Sequence, residues 1–112
     1  MSIQTIVNEI QLKILTAIQE KMERSDNEGL TMIEFAKACG AGEASIAANE
    51  NGVETWTDTT AASNSKWAVR KMFDSFFDMD YITVQMGIVL TAVGEKKLKE
   101  LQEQSKLTEK FK

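Results

Sequence analysis

Phe76-Phe77-Asp78-Met79-Asp80-Tyr81-Ile82-Thr83-Val84-Gln85-Met86-Gly87-Ile88-Val89-Leu90-Thr91-Ala92-Val93-Gly94 is the stretch on which the fold turns. Ahead of it, Ala62, Val69, Met72, Phe73 and Phe76 share one face at about 100° per residue, which predicts a helix over residues 60–78. The pair Phe76-Phe77 is expected to end that helix in the core. Then the period changes. Tyr81-Ile82-Thr83-Val84 and Ile88-Val89-Leu90 are rich in β-branched and aromatic residues, and Gln85-Met86-Gly87 between them reads as a tight turn. Alternation places Ile82, Val84, Ile88 and Leu90 on the ribbon face that packs against helices. Thr91 is positioned to cap a last helix, Gly94 permits close packing where strand becomes helix, and Leu98 and Leu101 point inward.

Toward the N-terminus, Ile3, Val7, Ile10, Ile14 and Ala17 step by four and three, giving a helix from near Ser2 to near Arg24. Leu12, Leu15, Ile18 and Met22 widen its apolar surface, as for a helix that touches both its own core and a partner chain. Ser25-Asp26-Asn27-Glu28-Gly29 is a turn by composition, and Leu30 begins a short extended piece. Thr31-Met32-Ile33-Glu34 has capping-box spacing. A short helix follows, with Ile33, Phe35, Ala36 and Ala38 inward, and closes at Cys39-Gly40. Residues 40–62 are an atypical loop or insertion. Asn51-Gly52 signals a turn, and Val53-Glu54-Thr55-Trp56-Thr57 alternates like a strand. A small hairpin, an irregular excursion and a short extra helix around Glu43–Asn49 all fit. Past Ser105 the periodicity fades, so residues 106–112 are expected to be a frayed tail.

The order is helix, short strand, helix, long loop, helix, strand, strand, helix. That order resembles the winged helix-turn-helix superfamily. The run Tyr81-Ile82, then Leu90-Thr91-Ala92-Val93-Gly94 and Leu98, is similar to its MarR- and PadR-type regulators. The clear resemblance covers residues 66–101. It implies a mostly α fold with a small β-ribbon, forming a single winged-helix domain over 1–112. It also implies a dimeric, sequence-specific DNA-binding protein that regulates transcription, with the 60–78 helix in the major groove. Two features depart from the family. Residues 40–62 stand where a turn of a few residues is usual. The tip Gln85-Met86-Gly87 carries no lysine or arginine, so the family's basic wing contact has no residue here to carry it.

Composition bounds the chemistry. A chain of 112 residues with 43% hydrophobic and 27% charged residues is one domain's worth, and the balance excludes overall disorder. No stretch approaches the roughly 20 consecutive apolar residues of a membrane span. The N-terminus lacks a basic segment followed by an apolar one. A cytoplasmic location is therefore expected. Cys39, the single cysteine, is read as a small buried hydrophobe. There is no histidine, which removes the commonest general base and metal ligand. One cysteine cannot build a cysteine-rich zinc site, and no glycine-rich phosphate loop is present. Asp74, Asp78 and Asp80 read as a solvated acidic helix end in preference to a cation site. No enzymatic activity, cofactor or metal is expected.

The net charge of −4 counts against indiscriminate nucleic-acid binding, but its distribution is uneven. Residues 24–62 carry two basic groups against seven acidic ones. Residues 63–71 carry Lys66, Arg70 and Lys71 and no acid. The candidate DNA-binding residues are therefore Ser63, Asn64, Ser65, Lys66, Trp67, Arg70 and Lys71, in the helix half that meets base edges in helix-turn-helix docking. Asn64 suits adenine, Arg70 or Lys66 suits guanine or phosphate, and serine hydroxyls suit phosphate oxygens. Trp67 either stacks on the 40–62 excursion, which contains Trp56, or anchors a protein contact. Lys96, Lys97, Lys99, Lys106, Lys110 and Lys112 form a solvated face that could add phosphate contacts. The expected partners are double-stranded DNA with a palindromic or repeated site, and a second copy joined through the N- and C-terminal helices. A protein partner at Trp67 and the 40–62 loop is the further option; no membrane partner is expected. The alternative function is a winged-helix protein–protein interaction module, or a plasmid or phage segregation adaptor.

Overall fold

In the computed structural model, residues 2–110 are described, with side chains as far as Lys106. Four helices carry most of the chain, joined by two short antiparallel hairpins. Helix α1 (Ile3–Arg24) starts on Ser2, whose hydroxyl accepts from the Thr5 backbone N–H at 3.1 Å. Ile14, Leu15 and Ile18 are completely buried in the core. The same apolar stripe runs on toward the N-terminus through Ile3, Ile6, Val7 and Ile10, which stay 81, 44, 38 and 39% exposed. The stripe is thus continuous in sequence but covered only over its C-terminal half. The radius of gyration, 15.0 Å, exceeds the roughly 13 Å of a compact 100-residue domain.

Asp26 and Asn27 turn the chain with positive φ, and Gly29 brings it beside the later hairpin. Leu30 exchanges two backbone hydrogen bonds with Ile88, at 3.0 and 2.8 Å. Helix α2 (Met32–Ala38) has the complete capping box. Thr31 Oγ1 accepts from the Glu34 N–H at 3.1 Å, and Glu34 Oε1 accepts from the Thr31 N–H at 3.0 Å. Its short apolar side buries Phe35 and Ala36.

The 40–62 segment is a hairpin. Strands β1 (Ile46–Ala48) and β2 (Glu54–Trp56) pair with Ile46 opposite Trp56 and Ala48 opposite Glu54. Asn49 Oδ1 closes the turn by accepting from the Asn51 and Val53 N–H groups at 2.9 and 3.0 Å, and Gly52 takes φ +78°. The extra helix around Glu43–Asn49 does not form. One turn at Glu43–Ser45 gives way to β1, whose edge finds a partner only in the extended arrangement.

Helix α3 (Thr60–Asp78) is capped by Thr59 and buries Ala62, Val69 and Phe76. Phe77 departs from expectation: it is 50% exposed and stacks on Phe73 with centroids 6.1 Å apart. One residue is about 100° of rotation, so only Phe76 of the pair faces inward. Strands β3 (Ile82–Val84) and β4 (Ile88–Leu90) pair antiparallel, with Ile82 opposite Leu90. Ile82, Ile88 and Leu90 are buried as alternation predicts, but Val84, beside the tip, is 57% exposed. β4 is buried at all three positions because it lies between β3 and Leu30 and against α1 and α4.

Thr91 Oγ1 accepts from the Gly94 N–H at 3.0 Å and starts helix α4 (Ala92–Lys110). A Cβ on Gly94 would run into the Tyr81 carbonyl, so the close packing there excludes any side chain. Leu98 and Leu101 are buried. The helix extends to Lys110, over most of the stretch expected to fray; residues 111–112 lie outside the described residues. Phe35 sits at the centre of the core, edge-on to Phe73 at 5.9 Å and Phe76 at 6.3 Å, and Phe76 is edge-on to Tyr81 at 5.9 Å.

Candidate nucleic-acid interface

All seven candidate residues lie in the N-terminal part of α3, between Ser63 and Lys71, and α3 holds no acid before Asp74. The Thr59 hydroxyl accepts from the Ala62 N–H at 3.0 Å and fixes where the helix begins. Because Ala62, Val69 and Phe76 hold the inner face, Ser63, Asn64, Trp67, Arg70 and Lys71 fall together on the exposed arc. Trp67 is 67% exposed. The Lys71 ammonium lies 4.8 Å from the centroid of its ring, within cation–π range. Arg70 is turned along the helix toward its own acid, with Nε 3.2 Å from Asp74 Oδ1 and the guanidinium carbon 5.7 Å from the Phe73 centroid. This exposed i,i+4 pair contributes only a few tenths of a kcal/mol, about 0.3–0.5, so Arg70 can leave it for a phosphate at little cost.

Ser65 and Lys66 are placed differently. Ser65 is half-buried, and its hydroxyl shares a 2.8 Å hydrogen bond with the hydroxyl of buried Ser45, just before β1. Its first task is to hold the hairpin against α3. Lys66 is exposed, with its ammonium 5.8 Å from the Trp56 centroid on β2. It is therefore Lys66, not Trp67, that reaches the excursion's tryptophan. Ser45 is the supporting residue the sequence did not single out as part of the site. A buried serine in an alanine-rich loop gives no signal before its partner is known.

The hairpin is tied down on its other side as well. Lys37 of α2 and Glu54 of β2 form an exposed ion pair at 2.8 Å, and the Thr57 and Thr59 hydroxyls both donate to the Ala44 carbonyl, at 2.8 and 3.1 Å. The hairpin thus spans α2 and the start of α3, and the path between the two helices is fastened along its length.

The tip of the β3–β4 hairpin presents Val84, Gln85 and Met86 to solvent, with Met86 78% exposed. Lys96, Lys99 and Lys106 are exposed along α4 and Lys97 is half-buried; the Lys110 side chain and Lys112 lie outside the described residues. Asp74 is engaged by Arg70, and among the described residues no group of three or more histidine, cysteine or acidic side chains is placed to hold a metal ion. Burial pushes the Cys39 thiol up to about 11, against a smaller opposing effect of Lys13, so the thiolate is scarce at neutral pH. No described helix is long and apolar enough to cross a membrane.

Comparison with protein-family models, with curated proteins and with solved structures finds no match to this chain.

Proposed function

We propose that this chain is a winged helix-turn-helix DNA-binding protein, a dimeric transcriptional regulator that places α3 in the major groove of a palindromic or repeated site. The observation that carries the proposal is the N-terminal part of the exposed arc of α3, free of acids before Asp74, where Asn64, Arg70 and Lys71 stand beside Ser63 and Trp67. These residue types read adenine and guanine edges or bind phosphate oxygens, and the N-terminal turns of the helix favour anions. In this reading the β3–β4 hairpin is the wing. With no basic residue at its tip, it contributes no phosphate contact, and α3 carries the interface.

A second copy is the natural cover for the uncovered half of the α1 stripe. Ile3, Ile6, Val7 and Ile10 are aliphatic and share one face, so two α1 helices related by a two-fold axis would bury the same surface from both chains. α4 lies beside α1, with the Asn8 side-chain amide 3.4 Å from Gln104 Oε1, and extends that surface.

Salt-dependent binding to duplex DNA tests the proposal. Affinity should fall steeply as salt rises, and Arg70→Ala with Lys71→Ala should flatten the log–log slope by about 0.9 for each phosphate no longer neutralised. Absence of binding at low salt, or a slope untouched by the double substitution, would refute it. The second reading is a winged-helix protein-interaction module, or a plasmid or phage segregation adaptor that joins DNA to a protein. The exposed Trp67 and the net charge of −4 favour it. A partner that binds independently of salt and is lost with Trp67→Ala distinguishes it.

A further inference from the structure

Trp67 stands at the middle of the exposed arc of α3, one turn beyond Ser63 and Asn64 and one turn before Arg70 and Lys71. Its ring is 67% exposed, and Lys71 rests 4.8 Å from the centroid. An indole is apolar except for one N–H donor. A helix with its side chains is about 10–12 Å across and the major groove about 12 Å wide. A helix entering with this arc foremost brings the indole to the base edges before any shorter neighbour arrives. Stacked bases close their faces to the ring and leave only their edges. On those edges the one apolar group is the C5-methyl of thymine. Lys71 lies over the ring, Lys66 and Arg70 are exposed on the same stretch of helix, and no acid occurs from residue 59 to residue 73, so phosphates beside the groove are complementary to this part of α3.

We propose, building on the DNA-binding assignment above, that Trp67 is the specificity-determining residue for thymine. Its indole packs on C5-methyl groups in the major groove while Lys71 leaves the ring for a neighbouring phosphate.

The test uses the full chain and a duplex enriched from a random-sequence pool, beside the same duplex with deoxyuridine in place of every thymidine. The exchange removes methyl groups and leaves charge and base pairing alone. Wild-type chain should bind the deoxyuridine duplex more weakly, by about four-fold for each contacted methyl, the ratio that corresponds to burying one methylene-sized group. Trp67→Ala should bind both duplexes alike, and Trp67→Phe should keep part of the preference. Circular dichroism of each variant checks that the exposed substitution leaves the fold intact. Equal binding of the two duplexes by the wild-type chain, or a thymine preference that survives Trp67→Ala, overturns the assignment and leaves duplex binding standing. Tighter binding of the single strand than of the duplex also overturns it, because the ring then stacks on an unpaired base. A pool that yields no bound duplex at low salt removes the DNA-binding assignment itself, and this inference with it.

Discussion

The hydroxyls of Ser45 and Ser65 lie 2.8 Å apart, one at the root of the β1–β2 hairpin and the other on the flank of α3. Ser45 is only 4% exposed, so its hydroxyl has given up water for this contact. Replacing either serine by alanine should lower stability by about 1 kcal/mol. The double variant should lose less than the sum, because the second substitution removes a group already left without its partner. Urea denaturation of the two single variants and the double variant measures the coupling. Additive losses would show that the bond holds nothing together.

Gly94 offers a sharper test of packing. A Cβ there would collide with the Tyr81 carbonyl, which is backbone and cannot swing aside. Gly94→Ala should cost about 3 kcal/mol, the upper range for overpacking. Gly40→Ala is the control. Gly40 has φ +105°, and a Cβ added there would meet no atom within 4 Å, so only backbone strain of about 1–2 kcal/mol is expected. Thermal melts should rank Gly94→Ala well below Gly40→Ala; equal melting temperatures would contradict the close approach.

Glu34 gives stability a dependence on acid pH. Burial raises its pKa, but the Thr31 backbone N–H and the Lys21 ammonium, 3.0 Å away, outweigh burial and bring it below the ordinary 4.5. A group whose folded pKa is depressed stabilises the fold above its unfolded pKa and loses that contribution as pH falls through the folded value. The loss should therefore begin near 4.5 and grow at lower pH. Glu34→Gln should be less stable than wild type at pH 7, with the gap narrowing below 4.5 in urea titrations at a series of pH values.

The α1 stripe predicts an oligomeric state. Ile6→Glu with Ile10→Glu places charge on residues already 44 and 39% exposed, so the fold of one chain should survive. If two copies meet there, sedimentation equilibrium at micromolar concentration should give twice 12.5 kDa for wild type and 12.5 kDa for the double variant. A wild-type mass of 12.5 kDa would leave α1 without a second copy.

Where sequence and structure agree, short-range physics decides. The capping box at Thr31 and Glu34 is written in residues three apart, and the β3–β4 hairpin in a change of period around Gln85-Met86-Gly87. The same holds for the polar arc of α3, which needs only the helical repeat. What could not be read depends on contacts between distant segments. β1 has a weak strand signal in Ile46-Ala47-Ala48, and it becomes a strand because β2 pairs with it. Ser65 carries the same residue type as Ser63, yet one faces Ser45 and the other solvent. Leu30 is legible as extended, but nothing local says that it joins Ile88.

That last junction has a mechanical meaning. Leu30 and Ile88 hold each other through two backbone bonds, Gly29 donates to the Met86 carbonyl at 3.0 Å, and a Cβ on Gly87 would meet the Gly29 carbonyl at 2.7 Å. The tip is bolted, main chain to main chain, to the segment that leaves α1. It is braced as an outrigger is, and not held free as an antenna is. In a pair of chains joined through α1, the spacing of the two tips would be set by the angle at which those helices cross, and bending at the tip would add almost nothing to it.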